Sequence, residues 1–134
     1  MIALQEQEII VSNNKYKITE LAIEDWLLCK RILVGRFPRL IEAFFETISL
    51  KNLIEAYGSS LAHIPESEWL QLVHLLSKNI QVQKDTKFKP FIMADKEISN
   101  TDKMTLIAHS TIINFKDFFL NFPVIIQQLI AGQP

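Results

Sequence analysis

The chain has 134 residues, of which 49% are hydrophobic and 22% charged, and its formal net charge is -1 at pH 7. One domain of this length buries enough surface to fold without disulfides or metal ions. The near-neutral charge argues against a protein whose overall field attracts nucleic acid or an anionic membrane surface. The single cysteine, Cys29, excludes an internal disulfide and favours a reducing compartment.

The pattern of residues 1–22 predicts an N-terminal β-hairpin. Ile9, Ile10 and Val11 form a short apolar run, and the asparagines that follow are turn residues that tolerate positive φ. The segment from Lys15 to Leu21 then alternates polar and apolar side chains. Because a lone hairpin is only marginally stable, we expect it to pack on helices or to pair with another chain.

The pattern of residues 23–80 predicts helices, because their apolar side chains recur at helical spacing. The first begins near Ile23, with acids in its first turn and basic residues near its end, and Gly35 is its stop. A second follows Pro38, a short third runs from Leu50 to Tyr57, and Pro65 opens a fourth.

Residues 81–99 are polar and lysine-rich, and we expect them to form a loop. The apolar residues Phe88, Phe91, Ile92 and Met93 either anchor this loop to the core or form a short strand within it. Lys84, Lys87 and Lys89 make a small basic cluster next to Phe88 and Phe91. Such a cluster is able to contact a nucleic-acid backbone. A solvated loop is the favoured interpretation, since no wider basic face accompanies the cluster, and we predict no nucleic-acid partner.

The pattern of residues 100–134 predicts C-terminal helices. The longest carries a phenylalanine stripe spaced i, i+3, i+4, i+7, made of Phe115, Phe118, Phe119 and Phe122. Pro123 ends or kinks this helix, and a last short helix follows. The six residues predicted to bind a partner are Phe119, Phe122, Ile125, Ile126, Leu129 and Ile130. They are too apolar for water, so a partner, a second copy of the chain or the chain's own core must cover them.

These elements predict one domain over residues 1–134 of a mostly α fold class, a small helical domain with an N-terminal β-hairpin. Its core is expected to contain the residues in the middle of each apolar stripe. Those residues are Phe44, Phe45, Trp69, Leu72, Leu76, Ile112 and Phe115.

The sequence contains no recognisable motif for catalysis, a cofactor or a metal. His63, His74 and His109 are far apart, and none has a second His or Cys at i+3 or i+4, the pairing that structural zinc sites usually show. Cys29 fits a buried small hydrophobe better than a nucleophile. We therefore predict a non-enzymatic protein with no catalytic, cofactor-binding or metal-binding residues.

The sequence shows neither a membrane span nor a targeting signal. No apolar run approaches the ~20 residues that a spanning helix needs. Residues 1–8 lack the basic start and apolar stretch of a signal peptide. We expect no membrane association and a cytoplasmic protein.

Two segments of the chain resemble those of a known family. One is the opening hairpin from Glu8 to Leu21, which leads directly into a helix. The other is the late helix, where Asn114, Asp117, Phe118 and Phe119 precede a proline. Relatives often show an asparagine, an acid and two phenylalanines in that region, and here two residues separate the asparagine from the acid.

On these segments the chain resembles the tail assembly chaperones of long-tailed bacteriophages. The resemblance implies a non-enzymatic protein of the host bacterial cytoplasm that binds apolar helical segments of a tape measure protein and helps to recruit tail tube protein. It carries over no catalytic residues. The alternative is an unrelated helical protein–protein adaptor or regulator that self-associates through its C-terminal helices.

Overall fold

A single antiparallel sheet and a set of helices make up the computed structural model, which describes residues 5–36, 49–60 and 64–120. The described elements, in chain order, are β1 (Glu6–Val11), β2 (Asn14–Thr19), α1 (Ile23–Arg36), α2 (Leu50–Ser60), α3 (Glu66–Ser77), β3 (Ile80–Lys84), β4 (Lys87–Pro90) and α4 (Asn100–Leu120). The strands pair in the order β1-β2-β3-β4. The fold is therefore mixed α/β, and the prediction of a mostly α domain is wrong.

The predicted N-terminal hairpin is confirmed. β1 and β2 pair antiparallel, from Glu6 opposite Thr19 to Val11 opposite Asn14. The two turn residues, Ser12 and Asn13, have φ of 48° and 66°. Positive φ at both central residues gives a turn whose twist matches that of the flanking strands.

The prediction of a loop over residues 81–99 is wrong where β3 and β4 form a second hairpin. β3 extends the sheet by pairing with β2, with Tyr16 opposite Val82 and Ile18 opposite Ile80. Ile80 and Val82 are the side chains of β3 that are buried, while those between and after them are at least partly exposed. Lysine and glutamine therefore dominate the segment, because most of its positions face water.

The helix α4 lies between the sheet and the other helices. Leu106 belongs to the apolar cluster against the sheet, whereas Ile107, Ala108 and Phe115 belong to the cluster formed with the other helices. A helix that is apolar on two sides is typical of a buried position. The predicted core residues Leu72, Leu76 and Phe115 are buried, Trp69 and Ile112 are partly buried, and Phe44 and Phe45 lie outside the described residues.

A buried amide connects α4 to the junction between β2 and α1. Asn114 Oδ1 accepts a hydrogen bond of 2.8 Å from the backbone N–H of Leu21. Its Nδ2 donates to the carbonyl oxygen of Ser110 at 2.9 Å. The backbone carbonyl of Asn114 accepts a 2.8 Å bond from Trp26 Nε1, and the Trp26 ring stacks on Phe115 with centroids 5.2 Å apart. These contacts set where α1 begins relative to α4.

A second polar group on α4 holds α3. The Ser110 hydroxyl donates a 2.7 Å hydrogen bond to the carbonyl of Leu76, near the end of α3. At the next residue of α4, the hydroxyls of Thr111 and Tyr57 are 2.6 Å apart and connect α4 to α2. Polar side chains thus fix the contacts of α4 with α3 and with α2 at defined points along an otherwise apolar helix.

Replacing Asn114 with leucine should reduce the free energy of unfolding by about 1–3 kcal/mol, because the buried N–H of Leu21 loses its acceptor. Urea denaturation measures this loss. Asn100→Leu is the matched control, since Asn100 is exposed at the start of α4 and should change stability by less than about 0.5 kcal/mol. Equal stability of Asn114→Leu and the unmodified protein would contradict the structural role of this amide.

Candidate protein-binding surface

The helix α1 is apolar on two opposite sides. Its inner side is in the core, with Cys29 and Leu33 fully buried. On its outer side, four large apolar side chains are exposed to water: Ile23 by 65%, Leu27 by 46%, Leu28 by 42% and Val34 by 41%. Exposed apolar residues scattered singly are ordinary, but a group of them on one helix marks an interaction surface.

An open groove of about 560 Å³ lies between the outer side of α1 and the end of α4. Leu27, Lys30, Arg31 and Val34 line one wall, at the spacing i, i+3, i+4, i+7 that places them on one helical face. Phe118 of α4 lines the groove with them. The groove is therefore apolar at its ends and along its α4 side, with two cations between the apolar residues of α1.

The two cations of the groove differ in their surroundings. Lys30 Nζ lies 5.7 Å from the ring centroid of Trp26 and 5.6 Å from that of Phe118, within the range of cation–π attraction. Arg31 is exposed. Neither forms an ion pair within residues 5–36, 49–60 and 64–120.

A second, smaller cleft borders the same helix on the side of α3. Its volume is about 340 Å³, and Leu28 and Arg31 of α1 face Glu68 and Gln71 of α3 across it. Gly35 lines both clefts, and the space where its side chain would be is open. The outer side of α1 is therefore a ridge between two depressions, a shape that a partner helix is able to pack against.

The binding residues predicted from the sequence lie next to this groove along the chain. Phe119 follows Phe118 in α4, but its side chain is not described. Phe122, Ile125, Ile126, Leu129 and Ile130 lie outside the described residues, and the predicted C-terminal surface stays a prediction.

The titratable groups singled out in the sequence have different surroundings where the structure describes them. Burial raises the pKa of Cys29 to about 12, and the nearby Asp25 carboxylate contributes. Burial lowers the pKa of the half-buried His109, whereas His74 is exposed and His63 lies outside the described residues. In the part of the chain that the structure describes, no three His, Cys, Asp or Glu side chains are placed to hold a metal.

A polar cavity of about 220 Å³ lies at the end of the sheet. Its lining includes Tyr16, Lys84, Asp95 and Glu97. The backbone N–H of Glu97 donates to Asp95 at 2.9 Å and, with Lys84 at 3.6 Å, lowers the pKa of that carboxyl. Burial raises the pKa of Tyr16. Asp95 is therefore paired with Lys84 at the edge of this cavity.

No family model, curated protein or solved structure matches this chain. None of the described helices is long and apolar enough to cross a lipid bilayer. The fold and the surface of α1 define the class of protein, which is a mixed α/β domain with an exposed apolar groove.

In the folded protein at about pH 8, Cys29 should react with a thiol reagent at least about a hundredfold more slowly than in denaturant, because the reaction needs an accessible thiolate. Burial prevents access of the reagent, because the side chain is fully buried, and it disfavours the thiolate, because the pKa is raised to about 12. With one cysteine in the chain, the absorbance of the released reagent reports this site alone. Rapid labelling of the folded protein would mean that the inner side of α1 is open to solvent.

Proposed function

We propose that this protein is a non-enzymatic binding protein that holds an apolar helical segment of another protein in the groove between α1 and α4. The observation that carries the proposal is the exposure of Leu27 and Val34 beside Phe118 in one open groove. Covering apolar surface releases roughly 25 cal/mol per Å². A helix is the expected occupant because the side chains of α1 are arranged along a helical ridge, against which the ridges of another helix pack.

As its biological role, we propose that the protein is a phage tail assembly chaperone and that the bound segment belongs to a tape measure protein. The supporting features are the hairpin β1–β2 that leads into α1, and the late helix α4 with Asn114 and Phe118 near its end. A long helical protein exposes apolar segments until its own assembly covers them. A groove that holds such a segment would keep it soluble, in the cytoplasm of the host bacterium.

The proposed binding surface includes the C-terminal residues predicted from the sequence, in addition to the groove. Those residues follow Phe118, which already lines the groove. All six are large and apolar: Phe119, Phe122, Ile125, Ile126, Leu129 and Ile130. Recruitment of tail tube protein is the second part of the proposed role, and it rests on the family resemblance alone.

Replacing Leu27 and Val34 together with aspartate should weaken capture of a co-expressed tape measure protein by about tenfold or more, since the apolar contacts of the groove are lost. Both side chains are exposed, so the variant should fold with a stability change of about 1 kcal/mol or less. Co-purification of the two proteins measures the capture. Ile92→Asp is the matched control, because Ile92 is 64% exposed and lies outside the groove.

Capture at full strength by the folded double variant would show that the groove is not the binding site. The variant Ile126→Asp with Leu129→Asp separately tests the C-terminal residues. Light scattering of the unmodified protein tests the alternative function. A stable dimer that ignores the tape measure protein and is broken by Ile126→Asp with Leu129→Asp would replace the chaperone with an adaptor that self-associates through its C-terminal helices.

A further inference from the structure

Two cations stand between the apolar residues of the groove, and their position bears on the kind of helix that fits. Lys30 and Arg31 lie between Leu27 and Val34 on one face of α1. Leu27 and Val34 are about 10 Å apart along the helix, two turns at about 1.5 Å per residue. A partner that contacts both apolar residues must also pass over both cations.

The helix dipole does not account for this position. Cations are favoured in the last turn of a helix, and the effect fades beyond it. Lys30 precedes the last residue of α1, Arg36, by six positions and Arg31 precedes it by five. Within α1 the acids are at the opposite end, and the Asp25 carboxylate already accepts a 2.8 Å contact from Lys78. Within the described residues neither cation forms an ion pair: Lys30 lies near the rings of Trp26 and Phe118, and Arg31 faces Glu68 across the smaller cleft.

Covering these cations without compensation is unfavourable. An ammonium or guanidinium group removed from water needs a carboxylate or other acceptors to offset the lost hydration. Arg31 offers a planar fork that pairs with a carboxylate through two hydrogen bonds, whereas Lys30 is a point charge. An apolar helix with basic flanks would bring like charges together, and the groove would reject it.

We infer that the groove between α1 and α4 selects an amphipathic helix that carries carboxylate side chains beside its apolar stripe, placed to pair with Lys30 and Arg31. This inference rests on the proposed function, because it names the chemistry of the helix that the groove holds. The exposed apolar side chains of α1, from Ile23 to Val34, span about 16 Å along the helix, so a partner helix of three turns covers them. The chain's own residues 121–134 contain no Asp or Glu side chain and do not supply these carboxylates.

Two synthetic helical peptides test the inference on the full-length protein. Both have the same leucine stripe, and glutamates flank the stripe in one peptide while lysines flank it in the other. Circular dichroism first establishes that both are helical, and fluorescence anisotropy then measures the dissociation constants. The glutamate peptide should bind about tenfold more tightly in low salt, and the difference should shrink at about 0.5 M salt, where charges are screened.

Reversing the two charges should reverse the preference. The variant Lys30→Glu with Arg31→Glu should bind the lysine peptide more tightly than the glutamate peptide. Its matched control is Lys51→Glu with Lys96→Glu, which changes the net charge equally at two exposed lysines outside the groove. The control should keep the original preference, which separates a local charge pairing from a general effect of net charge.

Three results would overturn the inference, and they have different consequences for the proposed function. Equal binding of both peptides, with loss of binding in Leu27→Asp, would leave the groove as a helix site but remove the charge selection. Failure of both peptides to bind would remove the groove itself. If the peptides bind only to a variant with Glu42→Gln and Glu46→Gln, the occupant of the groove is the chain's own segment 37–48, which contains those two acids.

Discussion

The buried side-chain amide of Asn114 is the constraint on which the placement of α1 depends. Where the chain passes from β2 into α1, the backbone N–H of Leu21 is buried and needs an acceptor, and Asn114 Oδ1 provides it. Within the next turn and a half, Trp26 bonds to the carbonyl of the same asparagine. Two bonds to one residue of α4 fix both the start and the direction of α1. Its inner side must then bury Cys29 and Leu33.

The apolar outer side of α1 follows from the same arrangement. Once the inner side is fixed, helical geometry places Leu27 and Val34 away from the core. In an isolated domain these side chains stay more than 40% exposed, and that exposure is unfavourable. Under the proposed function, a partner covers them, and the same helix stabilises the domain with one side and binds that partner with the other.

Local patterns in the sequence predicted the elements that are determined by residues close together in the chain. The hairpin β1–β2 follows from alternation and an asparagine turn, and α4 follows from its long apolar stripe. The hairpin β3–β4 was missed because lysine and glutamine fill its exposed positions. The pairing of β3 with β2 joins Ile18 to Ile80 across the sheet, and that contact leaves no trace at short sequence distance. The fold class was wrong for this reason.

The candidate site was harder to predict than the fold. Leu27 is apolar, but a helix with apolar residues on two sides does not reveal from its sequence which side is buried. Asn114 stood out in the family resemblance, yet its role depends on Leu21 and Trp26, each about ninety positions away in the chain. The positions of Lys30 and Arg31 beside Phe118 likewise required the tertiary contact of α1 with α4.

Methyl cross-saturation NMR tests the central claim most directly, that a partner helix lies on the outer side of α1. The protein is labelled at its Leu, Val and Ile methyl groups and mixed with an unlabelled tape measure protein. The account predicts loss of signal at Leu27 and Val34, while Leu70 and Ile92, which are also exposed, keep theirs. Saturation confined to Ile10 on the edge strand β1, with none at Leu27 or Val34, would contradict the account and make the sheet edge the interface.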